Sequence, residues 1–374
     1  MKNVKRRIKT ILYYKPRTLF YKTVFYLFPT FFVSRLSIMK YHGRENFMQT
    51  ASRLMPYYLT KEEIEDTSFI NAIKVDMVKC YFRYAINPEE YLIHDFRNKS
   101  DDKRREYISK KEKDKLIASQ LKDHRDKAFR ELKDKYQFYK LASQYFKRDV
   151  CQVSKSSDYN AFKEFVHKHD RFIAKPVVGR FGKGNCIISL TDDYNGNEKA
   201  LFNALLHDNS WIIEELINQD ERMAVWNESS VNTVRIPSFR TKDGIRIMRP
   251  FIRMGRKGSI VDNGGHGGIF FSFDAKTGAI CSKGRDEKGN IFDANPDNGR
   301  EYANWKVPEW DKLLKLSEEV HKSLPEYHKY VGFDFALSKD HGWVLVEGNW
   351  GDFIAQQSTL GFGMKKEFLD HLYG

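Results

Sequence analysis

Two stretches, Val331-Gly332-Phe333-Asp334-Phe335-Ala336-Leu337 and Trp343-Val344-Leu345-Val346-Glu347-Gly348-Asn349, decide the fold. Both are apolar runs broken by a few polar groups, and Ser338–Gly342 between them supplies a turn, so they read as an antiparallel hairpin. In the symmetric register Leu337 faces Val344 and Ala336 faces Leu345. Asp334 then lies directly opposite Glu347, with Cβ atoms about 4.5–5.5 Å apart, and Gly332 lies opposite Asn349. Strand side chains alternate, so Glu347 and Asn349 point to the same side as Asp334. Two carboxylates and an amide oxygen converge inside apolar strands. Left bare, the carboxylates would repel each other and be costly to desolvate. Hard oxygen donors of this kind suit Mg²⁺, especially Mg²⁺ carried in with a nucleoside triphosphate. A salt-bridged structural cluster is the alternative.

Upstream lies a run of expected strands. Val231, Thr233 and Arg235 share one face, and Arg249 and Arg253 share another strand's face in Arg249-Pro250-Phe251-Ile252-Arg253-Met254. Three arginines on adjacent strands can form a cationic floor for phosphate or carboxylate, where the bidentate fork suits Arg; surface strand charges are the alternative. The loop Val261-Asp262-Asn263-Gly264-Gly265-His266-Gly267-Gly268 carries four glycines in five residues. Such a loop suits a substrate lid, and a plain hairpin turn has the same composition. Asn232, Asp262, Asn263, His266 and Gly267 are acceptor-site candidates by position.

Further upstream, Phe172-Ile173-Ala174-Lys175-Pro176 reads as a strand ending in a lysine. It leads through Gly179-Arg180-Phe181-Gly182-Lys183-Gly184 into a second strand, Asn185–Leu190. Strand, glycine-rich turn and strand form a flap whose N–H groups can lie over phosphates. No GK[ST] opens a helix and no helix follows directly, so this is neither a Walker A loop nor a dinucleotide fingerprint. Trp211-Ile212-Ile213-Glu214-Glu215-Leu216-Ile217 reads as a buried strand ending in two acids. Those acids suit an exposed strand end or the edge of a nucleobase, with Asp220 or Glu221 near its ribose.

The chain has 374 residues, 41% hydrophobic, enough for a sizeable core and about two or three folding units. Four scattered cysteines without a CxxC exclude a zinc ribbon and a disulfide scaffold and suit a reducing compartment. The net charge is +14, but ten basic residues and no acidic ones fall in residues 1–40. The rest holds 54 basic and 50 acidic residues, so a general nucleic-acid-binding surface loses support and none is expected as a partner. The basic segment is crowded with aromatics, from Phe20 to Phe32. Its uncharged run Thr23–Val33 is too short to span a bilayer. Basic residues beside a short aromatic run suit the anionic inner face of a cytoplasmic membrane, and a helix packed on the body is the alternative. From residue 46 the pattern turns helical. Thr60 and Glu63 make a capping box, Asn87-Pro88 marks a turn, and the run Lys110-Lys111-Glu112-Lys113-Asp114-Lys115 reads as a solvated helix face.

Together these parts resemble the ATP-grasp superfamily, and in detail its sugar-transfer-associated branch of bacterial surface-polysaccharide biosynthesis. The resemblance covers roughly residues 130–355. It rests on Asp134-Lys135, Ala174-Lys175-Pro176, the glycine-rich flap, Ile213-Glu214-Glu215-Leu216, Ser229–Arg235, Val261-Asp262-Asn263 with Gly267-Gly268-Ile269, and Asp334 with Glu347-Gly348-Asn349, in the family's order. It implies an α+β ATP-grasp fold, two subdomains gripping ATP behind a mainly helical N-terminal region. The expected boundaries are a basic aromatic segment at 1–45, a helical region at 46–130, a small subdomain at 131–216 and a large one at 217–374.

By the same resemblance, Lys135 and Lys175 bind the ATP phosphates while Gly179, Gly182, Lys183 and Gly184 close over them. Glu214, Glu215 and Leu216 line the adenine. Asp334, Glu347 and Asn349 hold two Mg²⁺, for which Mn²⁺ can substitute. Some family ligases carry an arginine two residues before the first metal aspartate; here Gly332 stands, and Arg235, Arg249 or Arg253 takes that role. The implied activity is an ATP-dependent carboxylate ligase that forms an acyl phosphate and joins an amino acid or similar group to a sugar. Its partners would be carboxylate and nucleophile substrates, such as a lipid-linked or nucleotide-linked sugar, and the anionic membrane surface. A kinase acting on a sugar or lipid hydroxyl, and a non-catalytic scaffold of a polysaccharide assembly complex, are the alternatives.

Overall fold

A computed structural model describes residues 40–42, 45–179, 184–208, 210–262, 264 and 267–374. Residues 1–39, 43 and 44 of the membrane segment expected at 1–45, and the candidates Gly182, Lys183, Asn263 and His266, lie outside the described residues. The chain divides into two compact units, Met1–Glu112 and Lys113–Gly374.

Among the described residues the first unit is helical apart from a hairpin of β1 (Lys40–His42) and β2 (Glu45–Asn46). Its described helices are α1 (Phe47–Leu54), α2 (Lys61–Glu65), α3 (Thr67–Tyr84), α4 (Pro88–Ile93) and α5 (Asp101–Glu106), and α6 (Lys110–Gln120) follows them. The capping box read from the sequence opens α2: Thr60 Oγ1 accepts from the Glu63 N–H, and a Glu63 oxygen accepts from the Thr60 N–H. Asn87 caps α4 in the same way, with Pro88 at its first position, where a missing N–H costs nothing. Phe47, Met77, Val78, Tyr91 and Phe96 form the core of this unit. Beside it Arg104 grips Asp76 at 3.0 and 2.6 Å, and the Tyr91 hydroxyl donates to the same carboxylate at 2.7 Å.

Among the described residues the second unit holds two antiparallel sheets. Helices α7 (Arg125–Lys133) and α8 (Lys135–Ala142) lead into β3 (Val150–Val153), α9 (Tyr159–Lys168), β4 (Arg171–Pro176), β5 (Cys186–Ser189), α10 (Leu190–Tyr194), α11 (Glu198–Asp208) and β6 (Trp211–Glu215). The four strands order as β3-β6-β4-β5. Cys151, Val153, Phe172, Ala174, Trp211 and Ile213 form one apolar face and pack with Phe162, Phe165, Leu201 and Phe202 of α9 and α11. Alternation sends Lys175 and Glu214 to the opposite face.

The larger sheet follows α12 (Glu221–Ala224). It comprises β7 (Thr233–Thr241), β8 (Gly244–Ile247), β9 (Phe251–Met254), β10 (Ile269–Ser272), β11 (Gly284–Arg285), β12 (Ile291–Phe292), β13 (Tyr330–Ser338) and β14 (Gly342–Asn349). Its order is β12-β11-β10-β9-β7-β13-β14, with β8 on the outer part of β7. Helix α13 (Trp310–Ser323) precedes β13; α14 (Ile354–Leu360) and α15 (Lys365–Tyr373) follow β14. One face is the main core: Val234, Ile236, Ile252, Phe271, Phe333, Phe335 and Leu345, covered by Leu313 and Val320 of α13 and Phe138 of α8. The other face carries the polar side chains.

The hairpin register follows the sequence reading where it matters and departs from it near the turn. Asp334 pairs with Glu347 and Gly332 with Asn349 as expected, but Leu337 pairs with Trp343 and Ala336 with Val344. A bulge at Val346 absorbs the difference. It has a packing reason. Trp343 and Leu345 enter the core, and in an unbroken strand Glu347 would follow them; one extra residue turns Glu347 to the polar face.

Candidate active site

Two rungs of the larger sheet build the site. The first runs Glu347–Asp334–Arg235–Phe251–Ser272 across β14, β13, β7, β9 and β10. The second, two residues along β7, runs Thr233–Arg253–Phe270–Arg285. Asp334 is fully buried and sits between two guanidinium groups. Arg235 donates to both of its oxygens through Nε and Nη2, the latter at 2.7 Å, and Arg253 Nη2 lies 2.8 Å from Oδ2. Burial pushes the Asp334 carboxyl upward, but Arg235 and Arg253 outweigh it and hold the group below the usual range. For Glu347 the balance is reversed. Burial and the neighbouring Asp334 carboxylate raise it against the pull of the more distant cations, and among the described residues no lysine or arginine reaches ion-pair distance.

Asn349 bends back on this pair. Its Nδ2 donates to Glu347 Oε1 at 3.1 Å, and its Oδ1 accepts the Gly351 N–H at 2.7 Å. The donor set of two carboxylates and one amide oxygen contains no sulfur or imidazole, which fits Mg²⁺ or Mn²⁺. Asn349 Oδ1 keeps a second lone pair, and among the described residues Glu347 has no cation of its own.

Facing these groups, Lys175 of the smaller sheet binds Glu214 Oε1 at 2.8 Å, and Arg148 binds Oε2 of the same carboxylate at 2.5 and 3.0 Å. Burial would raise Glu214, yet Lys175 and Arg148 bring it down to about 2. Arg148 also donates to the Leu345 carbonyl of β14 at 2.7 Å, so one guanidinium ties the two sheets together. Lys135, at the start of α8, donates to the carbonyls of Pro176 and Gly179 at 3.1 and 3.3 Å. Burial lowers its affinity for a proton, opposed by the pull of Glu347 and reinforced by Lys175. The lysine therefore feels both carboxylate centres.

The remaining candidates divide. Asp262 accepts from the Thr233 N–H at 3.2 Å and from its hydroxyl, with Arg253 Nε at 3.7 Å. Burial raises its carboxyl. Gly267 sits beside the Arg256 side chain. Asn232 is fully buried, with Nδ2 3.0–3.1 Å from Gln219, Met223 and Asn227 oxygens, and so braces its own loop. Glu215 accepts the Asp149 N–H at 3.0 Å. With Leu216 it lines a crevice beside Arg148 and Val344. Gly184 lies over the Pro176 ring. Arg249 is not on the strand it was expected to share with Arg253. It precedes β9 with φ 45° and pairs with Glu367 of α15 at 3.0 Å.

Sequence reading passed over Arg148 and Lys113. Both sit in mixed-charge runs whose solvated reading is right for most neighbours. Yet the Arg148 side chain is 3% exposed and that of Lys113 is 1% exposed.

Residues 119–367 match the model of the family described as sugar-transfer associated ATP-grasp. The chain belongs to that family. Its fold is the ATP-grasp fold, with a helical region before the matched residues. Similar solved structures include carboxyaminoimidazole ribonucleotide synthase from Aspergillus clavatus, complexed with ATP. It is 14% identical with a TM-score of 0.37, over 60% of this chain and 46% of that one. The ATP-grasp ligase PsnB, complexed with a minimal precursor, is 14% identical at TM-score 0.38, over 66% and 61%. D-alanyl-alanine synthetase A from Vibrio cholerae is 13% identical at TM-score 0.39, over 65% and 64%. The chain thus spans under two thirds of the length of each. A search of curated proteins returns no match. Among the described residues no helix is long and apolar enough to cross a membrane.

Proposed function

We propose that this protein is an ATP- and Mg²⁺-dependent carboxylate ligase that forms an acyl phosphate and joins an amino acid or similar group to a sugar in bacterial surface-polysaccharide biosynthesis. The observation that carries this reading is the rung Glu347–Asp334–Arg235, with Asn349 and Arg253 beside it. An ATP tetraanion beside two carboxylates has more negative charge than two guanidinium groups balance, and divalent cations on Asp334, Glu347 and Asn349 supply the remainder. Bound there, Mg²⁺ neutralises charge developing on the transferred phosphoryl group.

In this reading Lys135 and Lys175 orient the phosphates from a small subdomain, residues 131–216, against a large one, residues 217–374. Lys175 exchanges its bond to Glu214 for a phosphate oxygen, and Arg148 keeps Glu214 neutralised meanwhile. Glu214, Glu215 and Leu216 border the adenine. Arg253, part-exposed and already on Asp334, is placed to meet the transferred phosphoryl or the oxyanion of the acyl-transfer step; Arg235, buried on the same carboxylate, holds Asp334 in place. Residues 179–184 and 261–268 keep water from the acyl phosphate, which it would hydrolyse.

The test is calorimetry of ATP binding with and without Mg²⁺, followed by trapping with hydroxylamine. Binding that needs Mg²⁺, and a hydroxamate formed with a carboxylate substrate, support the ligase. Substrate phosphorylation without hydroxamate replaces it by the kinase. Folded protein that binds no nucleotide replaces it by the scaffold. Membrane contact through residues 1–40 is a separate proposal from their ten basic residues. Deleting them is expected to abolish co-sedimentation with anionic vesicles, and unchanged sedimentation removes the proposal.

A further inference from the structure

Lys113, in the first turn of α6, is a buried cation six residues before the family-matched region begins. A buried ammonium is costly unless its three donors are satisfied. Lys113 Nζ donates to the Trp350 and Gly351 carbonyls and lies 2.8 Å from Asp114 Oδ1. The Tyr330 ring stands 5.5 Å away. Two of these partners are backbone carbonyls of the turn that leaves Asn349.

That turn has little freedom elsewhere. A Cβ on Gly351 would stand 2.5 Å from Arg235 Nη1, so the backbone rests on the guanidinium that holds Asp334. The Gly351 N–H donates to Asn349 Oδ1 at 2.7 Å, and Asn349 Nδ2 donates to Glu347 Oε1 at 3.1 Å. A continuous chain of bonds therefore runs from Lys113 through the 350 and 351 carbonyls and the Gly351 N–H to Asn349 and Glu347. Arg235 Nη1 lies against the same turn.

From this chain of bonds we infer that Lys113 is a positioning residue for the metal site, setting the orientation of the Asn349 amide and the Glu347 carboxylate from outside the coordination shell. The inference rests on the metal reading proposed above. Partners of this kind orient ligands, and their loss typically costs about 10–100-fold in metal affinity. Lys113→Met keeps the aliphatic stem and removes the donors.

The experiment is Mn²⁺ binding to the ADP complex of the full chain, followed by electron paramagnetic resonance, with metal-free ADP binding by calorimetry as the internal control. Lys113→Met is expected to weaken Mn²⁺ about 10–100-fold and to change metal-free ADP binding less than about twofold. Lys113→Gln, able to donate to one carbonyl, should fall between. Wild type that binds Mn²⁺ and a folded Lys113→Met equal to it overturn the role of Lys113 alone. Wild type that binds no Mn²⁺ overturns the metal site and the inference together. If Lys113→Met does not fold, Lys113→Gln carries the test, and wild-type Mn²⁺ affinity in that variant overturns the inference.

Discussion

Arg235 and Asp334 face each other across β7 and β13 and close a two-point ion pair on a carboxylate with no exposed surface. Arg253 adds a third bond from β9. Removing one partner of such a pair strands the other in a buried site. Arg235→Met is therefore expected to lower unfolding stability by about 3–5 kcal/mol, measured by urea denaturation. Arg253 is part-exposed, so Arg253→Met should cost clearly less. Equal losses would show that the two arginines share the burden evenly.

Among the described residues Glu347 has no lysine or arginine at ion-pair distance, and burial beside Asp334 raises its carboxyl. Because its folded pKa is raised, stability linked to this group is present below the ordinary carboxylate range and is lost as pH rises through the folded value. A neutral amide avoids that loss. Glu347→Gln is expected to be at least as stable as wild type at pH 7 and to lose Mg²⁺-dependent ATP binding. Thermal melts and calorimetry on one preparation check both. A variant that is less stable yet still binds would contradict the assignment.

Glu214 holds Lys175 and Arg148 at once. Without Arg148 the carboxylate draws the lysine more strongly and leaves it less able to meet a phosphate. Arg148→Met is expected to weaken ADP binding about tenfold, on the order of 1.4 kcal/mol. The double variant Arg148→Met/Glu214→Gln should recover most of the loss, since the competing anion is gone. A calorimetric double-mutant cycle measures the coupling, and additive effects would exclude it.

Gly348 lies between two of the proposed metal ligands because nothing larger fits. A Cβ there would stand 2.3 Å from Phe138 Cζ on α8. Gly348→Ala is expected to cost about 1–3 kcal/mol and to weaken Mg²⁺ binding as β14 shifts. Adding Phe138→Leu should restore part of the stability.

His321 is fully buried, bonded to Ser238 Oγ at 2.7 Å and to the His328 carbonyl at 2.8 Å. Burial, against the bond to His328, lowers its pKa to about 3. The unfolded chain then binds more protons than the folded one below the ordinary imidazole value. Stability should fall as pH drops from about 6.5 toward 3, by up to roughly 1.4 kcal/mol per unit from this group. Denaturant midpoints of wild type and His321→Gln across that window check the slope, and parallel curves would assign it elsewhere.

Part of the candidate site's geometry is legible in the sequence. The hairpin's apolar runs, the short turn and the two-residue period suffice to set Asp334 opposite Glu347, whereas the pairing of β7 with β9 is what puts Arg235 and Arg253 on a common face. The expected pairing nearer the turn missed by one residue. A bulge is chosen by which side chains the core accepts, and Trp343 and Leu345 win that choice over the regular ladder. Arg249 was misplaced for a related reason: a positive φ ends the regularity before β9 begins.

By itself the sequence determined the strand periods, the glycine-rich loops, the order of the motifs and the concentration of positive charge in residues 1–40. These are local or additive properties, and they were enough to bring out the family. Tertiary structure alone decided which members of a charge run turn inward. Lys113 and its neighbours share one composition, yet its partners are carbonyls 237 and 238 residues away. Arg148 is likewise spent on Glu214 and Leu345, 66 and 197 residues away. A buried cation is tolerated only where distant backbone and carboxylate oxygens have already been brought together to receive it, and no periodicity along the chain encodes that meeting.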